Sequence, residues 1–110
     1  MEKIVKQGLL YDFYGELLTE HQKAVYEANV FNDMSLSEIA EEYGISRQGV
    51  HDLIKRCDGI LQGYEDKLHL MERFTLTGNK VKEIKKLAEN AGEDALKNIS
   101  EIADELLEEL

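Results

Sequence analysis

The sequence predicts an all-α protein, and three observations carry that expectation. None of the 110 residues is proline, so no position removes a backbone N–H or forces a helix to break. Apolar residues recur at three- and four-residue steps through almost the whole chain, the period of a helix that buries one stripe. No run alternates apolar with polar residues as a half-buried strand would. The length suits one compact domain with a helical extension and is enough to bury a core.

The first expected helix runs from about Glu2 to Leu18, where Ile4, Val5, Leu9, Leu10, Phe13, Tyr14 and Leu17 make a broad apolar face. Thr19 followed by Gln22 has the form of a capping box, in which each side chain satisfies the other residue's backbone N–H. It opens a second helix through about Phe31, with Val25, Ala28 and Phe31 or their neighbours inside, and Asn32, Asp33 and Met34 make the connection. Residues 35 to 56 read SLSEIAEEYGISRQGVHDLIKR. Ser35 and Glu38 repeat the capping box ahead of an apolar stripe of Leu36, Ile39 and Ala40. Ala40 is small enough for a close helix crossing. Gly44 can adopt the left-handed conformation that ends a helix without a Cβ penalty. Ile45 then plugs the corner, Ser46 offers the next cap, and Val50, Leu53, Ile54 and Cys57 face inward. That order is a helix-turn-helix, and three helices ending in a capped second one make a complete small DNA-binding core.

The inward set leaves Arg47, Gln48, His51, Asp52 and Lys55 outward. In a DNA-binding helix-turn-helix, the second helix enters the major groove and its N-terminal outward residues meet base edges. Arg47 can engage guanine through two bonds and Gln48 can do the same with adenine. Lys55 and Arg56, two turns further on, are placed for phosphate, and His51 lies between. The expected nucleic-acid-binding residues are therefore Arg47, Gln48, His51, Lys55 and Arg56. A helical hairpin with Ala and Gly at these places also occurs in bundles that touch no nucleic acid.

Beyond that unit, Cys57, Leu61, Tyr64, Leu68 and Met71 continue the step, so the helix runs on or restarts after a bend. Gly59 and Gly63 each weaken continuity by roughly 1 kcal/mol relative to Ala. A break is expected near Thr77, Gly78 and Asn79, then a helix from Lys80 to Ala91 with Val81, Ile84, Leu87, Ala88 and Ala91 on one side and Gly92 at its end. The last segment, Glu93 to Leu110, places Leu96, Ile99, Ala103, Leu106 and Leu110 on a coiled-coil-like seam flanked by Ile102 and Leu107, with Glu101, Asp104, Glu105, Glu108 and Glu109 on the wet side. So short a seam must pack on this chain or on a second copy. The three stripes exceed what a three-helix core needs, so a homodimer is expected. The expected domains are residues 1–60, the helix-turn-helix, and 61–110, a helical extension for dimerisation.

Composition narrows the function. The chain carries 23 acidic and 13 basic residues, net −10. Residues 1–60 hold eleven acids and six bases, and 61–110 hold twelve and seven, so each half is −5. The sign changes only locally: the segment from Ser46 to Asp58 has Arg47, Lys55 and Arg56 against Asp52 and Asp58, a margin of +1. DNA affinity would be modest and strongly reduced by salt. His21, His51 and His69 have no His or Cys partner at ligand spacing, and there is no phosphate loop, nucleophile elbow or zinc pattern. An enzyme is not expected, nor a cofactor or metal. Cys57, alone of its kind, reads as a small core hydrophobe. Without a leader pattern or an apolar run of membrane-spanning length, the expected location is the cytosol, with no membrane partner.

Leu18 to Leu61 resembles the last DNA-binding region of bacterial sigma factors, the part that reads the promoter −35 element. Taken whole, KIVKQGLLYDFYGELLTEHQKAVYEANVFNDMSLSEIAEEYGISRQGVHDLIKR with the following YEDKLHLMERF more closely resembles the YlxM family of small bacterial helix-turn-helix proteins, over roughly residues 1–75. The resemblance implies a sigma region-4-like or winged-helix-like core of three to four helices. It also implies a regulatory protein linked to the signal recognition particle pathway by gene neighbourhood. Arg47, Gln48, His51 and Lys55 match the exposed recognition face of the sigma-like pattern. Two functions remain open: a dimeric DNA-binding regulator, or an adaptor docking on a basic protein or ribonucleoprotein such as the signal recognition particle, where acidic residues assist binding.

Overall fold

The apolar periodicity becomes six α-helices in a computed structural model that describes residues 2–89, 92 and 94–108. α1 spans Lys3–Tyr14, α2 Glu20–Val30, α3 Leu36–Tyr43, α4 Arg47–Leu68, α5 Leu70–Glu89 and α6 Ala95–Glu108. The described residues contain no strand, so the core is helical throughout and has no β-wing. None of the described helices is long and apolar enough to cross a membrane. The chain divides into two compact units, one ending at His69 and one beginning at Leu70.

α1 is shorter than the run to Leu18. It stops at Tyr14, and Gly15–Leu17 tighten into a 3-10 turn that hands the chain to an extended Leu18. The Tyr11 ring occupies the space beside Gly15, where an added Cβ would lie 2.9 Å from it. The apolar face is also narrower than the sequence suggests. Leu10, Tyr14 and Leu18 are buried, whereas Ile4, Val5 and Leu17 are half exposed.

α2 and α3 open at the two capping boxes. Thr19 N donates to Gln22 Oε1 at 2.9 Å and Gln22 N to Thr19 Oγ1 at 3.2 Å. Ser35 N donates to Glu38 Oε1 at 3.0 Å and Glu38 N to Ser35 Oγ at 3.1 Å. Val25 and Ala28 are inside as expected, but Phe31 is half exposed and meets the Tyr11 ring edge-on, with centroids 5.2 Å apart. α2 ends before Phe31 can turn inward. Between α2 and α3, Asp33 takes a left-handed φ of 56° and Asn29 Nδ2 donates to the Met34 carbonyl at 3.0 Å. Gly44, at φ 65° and ψ 33°, makes the turn from α3 into α4.

α4 runs 22 residues, straight through Gly59 and Gly63. Each glycine costs roughly 1 kcal/mol against Ala. Leu61 is fully buried, worth about 2 kcal/mol. Glu65 is also buried, and Tyr64 stacks on Tyr14 at 6.0 Å. These contacts outweigh the glycines and carry the first unit past residue 60 to His69. Its centre is made by Val25, Tyr26, Ile39, Val50, Cys57 and Leu61, all without solvent exposure.

In the second unit, α5 is unbroken across Thr77, Gly78 and Asn79. α5 packs against α6, with Lys80 Nζ 3.3 Å from Glu105 Oε2. That pairing outweighs a helix cost of roughly 1 to 2 kcal/mol for Gly78 with Asn79. Ile84, Leu87, Ile99, Ile102, Ala103 and Leu106 are each half-buried, and no described residue of either helix is fully buried. Ala91, Glu93, Glu109 and Leu110, expected in the stripe and seam, lie outside the described residues.

Candidate nucleic-acid interface

The later turns of α4 are held by polar ties as well as by apolar packing. Asp58 accepts from Gln7 Nε2 at 3.0 and 3.2 Å and from the Tyr26 hydroxyl at 2.6 Å. Glu65 accepts from the Tyr14 hydroxyl at 2.7 Å. Gln7 meets Asp58 and Tyr14 meets Glu65 with the same sequence separation of 51, so α1 lies parallel to α4 in a fixed register. Burial first, and the Asp58 bond second, push the Tyr26 phenol well above its usual range. A bond of this type contributes about 1 kcal/mol, and leaving its partner buried and unpaired costs about 1–3 kcal/mol. The recognition helix is therefore fixed in rotation and in height.

Sequence reasoning treated Asp58 as a surface charge and did not single out Gln7 or Glu65. The signal was present. Gln7 and Tyr14, like Asp58 and Glu65, are seven residues apart, two helical turns on one face. Asp58 and Glu65 also flank the inward positions Cys57 and Leu61.

At the N-terminus of α4, Ser46 Oγ accepts from Gly49 N at 2.9 Å and starts the helix. Arg47, Gln48, His51, Lys55 and Arg56 are all exposed. At about 100° per residue, Arg47, His51, Lys55 and Gln48 share an arc of roughly 100°. Arg56 lies at the far edge. It borders a cleft of about 370 Å³ together with Thr19, His21 and Gln22 at the start of α2. His51 borders a different cleft with Ile4, Leu36 and Ile54. Four of the five expected residues thus form one surface, and Arg56 flanks it.

Asp52 sits on the same surface. Its Oδ1 accepts from Gln48 Nε2 at 2.9 Å and lies 3.5 Å from His51 Nδ1. The Gln48 bond, then the His51 contact, hold its carboxyl below the usual range. Next to this face, α3 exposes Glu38, Glu41 and Glu42. The cations on this face of α4 therefore have acidic neighbours. The His21 ring packs edge-on against Tyr43 at 5.9 Å, joining the start of α2 to the end of α3.

This geometry can be set beside known proteins. Residues 1–102 match the family described as "Putative helix-turn-helix protein, YlxM / p13 like". A UPF0122 protein of Thermoanaerobacter sp. (strain X514) is 47% identical over 105 residues, covering 91% of this chain and 90% of its own. The UPF0122 protein YlxM of Bacillus subtilis (strain 168) is 42% identical over 94 residues, covering 86% of each. A UPF0122 protein of Clostridium kluyveri is 53% identical over 72 residues, covering 66% of this chain and 65% of its own.

Proposed function

The chain belongs to the YlxM/p13-like family of helix-turn-helix proteins, and on that footing we propose that it is a DNA-binding regulatory protein that reads the major groove with α4. One observation carries this reading: Arg47, Gln48, His51 and Lys55 share a solvent-facing surface at the start of a helix whose later turns are tied to α1 and α2. Arg47 and Gln48 read bases, His51 lies between the base and phosphate contacts, and Lys55 and Arg56 hold phosphate. The surrounding acids keep affinity modest, so the fixed orientation of α4 supplies discrimination where charge supplies little attraction.

The active species is a homodimer joined through the second units. Two helices that leave no residue fully buried cannot close a core, and two copies make a four-helix bundle. α5 carries five cations against three anions, and α6 one cation against four anions, so α5 of one copy complements α6 of the other across a two-fold axis. Paired recognition helices then read half-sites spaced by about 34 Å or a multiple of it.

Selection from a random DNA pool at low and at physiological salt tests the reading, with wild type run beside an Arg47→Ala, Lys55→Ala double variant. Wild type should enrich a two-fold-symmetric site and the variant should enrich nothing. No enrichment by wild type at either salt sinks the DNA reading. The exposed acids on α3 and α6 favour a second reading, an adaptor that docks on a basic protein or ribonucleoprotein such as the signal recognition particle. Salt-sensitive co-sedimentation with purified particle, together with failure to select DNA, is the outcome that establishes it.

A further inference from the structure

Within α4, a negatively charged side chain stands where the groove-facing surface should attract a polyanion. Asp52 is exposed, lies one helical turn after Gln48 and one residue after His51, and takes the Gln48 amide on Oδ1 at 2.9 Å. A carboxylate here weakens phosphate attraction, so its presence needs a compensating role. The bond itself supplies one. An amide nitrogen carries two hydrogens. One can point to Asp52 while the other, on the same side as Oε1, stays available. That remaining hydrogen and Oε1 are the pair that meets N7 and N6 of adenine.

We propose that Asp52 is a positioning residue for base recognition: it holds the Gln48 amide in the orientation that reads adenine, and its charge suppresses non-specific binding. This rests on the DNA-binding reading above. The Gln48–Asp52 bond is modest in water, because exposed pairs one turn apart on a helix contribute little. It gains strength when the groove excludes water around it, since the same charge–dipole attraction is then less screened. His51, 3.5 Å from the same oxygen, braces the carboxylate from the preceding position.

Two substitutions separate orientation from charge. Asp52→Asn removes the charge but keeps an oxygen that can accept the Gln48 amide, whereas Asp52→Ala removes both. Both variants should bind random-sequence DNA more tightly than wild type. Asp52→Asn should keep the selected sequence, while Asp52→Ala should lose adenine preference at the Gln48 position by about five- to tenfold, within the range one bidentate base contact supplies. If Asp52→Ala keeps that preference, or if both variants lose it equally, the positioning role is overturned. A DNA-free measurement keeps this outcome apart from failure of the DNA reading. In the NMR spectrum of the whole protein, the Gln48 side-chain amide should be more ordered than that of the exposed Asn32, and should lose that order in Asp52→Ala alone. A Gln48 amide as mobile in wild type as in Asp52→Ala overturns the clamp even if DNA is bound. An ordered amide with no selected DNA overturns the base-reading role together with the reading on which it rests.

Discussion

Cys57 has no solvent exposure, and burial, followed by the adjacent Asp58 carboxylate, pushes its thiol from 9.0 up to about 11. At a pH below both values, the fraction present as thiolate is therefore lower by about a hundredfold, and the thiolate is the reactive form. Alkylation by iodoacetamide at pH 8 should accordingly be at least about a hundredfold slower in the native protein than after unfolding in urea. A native rate close to the unfolded one would rule out a buried thiol. The same shift has a consequence for stability. A thiol harder to ionise when folded stabilises the protein below its unfolded value, and that contribution disappears as pH rises through the folded one. The urea midpoint should thus be level at neutral pH and fall between about pH 9 and 11. Tyr26, whose phenol is raised by burial and by Asp58, steepens the fall at its upper end. Cys57→Ala should lose less of its stability than wild type does across that window. Asp58 supplies a contrast to the reading surface. Asp58→Ala strands the Gln7 and Tyr26 donors and should cost roughly 2 to 3 kcal/mol in chemical denaturation, whereas Arg47→Ala on the solvent face should change stability by less than about 0.5 kcal/mol.

The helix ends show which parts of the fold were legible in the sequence. Both capping boxes and the Ser46 cap form as read, because a cap is closed by residues only three positions apart. Gly44 was legible for the same reason: a left-handed residue at the end of a short amphipathic run is a local requirement. What was not legible depends on partners distant in sequence. The end of α1 depends on Tyr11 lying over Gly15, and the place of Phe31 on its contact with Tyr11. The polar ties of α4 to α1 join residues 51 positions apart in sequence. On the outward face of α4, periodicity identified the exposed residues, but it could not reveal that Asp52 accepts from Gln48 or that Arg56 borders a cleft with the start of α2. Two glycines make the distinction measurable through one substitution with opposite signs. Gly44→Ala puts a Cβ into the left-handed region at φ 65° and should destabilise the first unit by about 1–2 kcal/mol. Gly78 sits inside α5, where a Cβ would meet nothing within 4 Å, so Gly78→Ala should stabilise the second unit by about 0.5–1 kcal/mol. A loss of stability in Gly78→Ala would mean that position 78 is not helical.

For the whole molecule, an acidic protein that reads DNA has to compensate for its own field, and the proposed dimer would do so through valency. Each copy carries −10, so a dimer brings about twice that charge to a polyanion and long-range attraction contributes nothing. What a dimer adds is a second reading helix at high effective concentration, worth about a hundredfold or more in affinity when both half-sites can be engaged. Charge and valency can be set against each other with one substitution in the full chain. Ile102 is half-buried between α5 and α6, so Ile102→Lys disrupts the seam while adding one positive charge to each copy. If electrostatics governed binding, the variant would bind DNA more tightly than wild type. If the seam joins two copies, the variant should sediment as a monomer and bind the symmetric site about a hundredfold more weakly. Salt dependence supplies a second sign. With Lys55 and Arg56 each neutralising one phosphate, the dimer makes about four such contacts, and the slope of log K against log salt should be about −3.6, falling to about −1.8 for the monomer. A monomeric variant that binds as tightly as wild type, with an unchanged slope, would show that one recognition helix suffices and that the second unit serves something other than DNA reading.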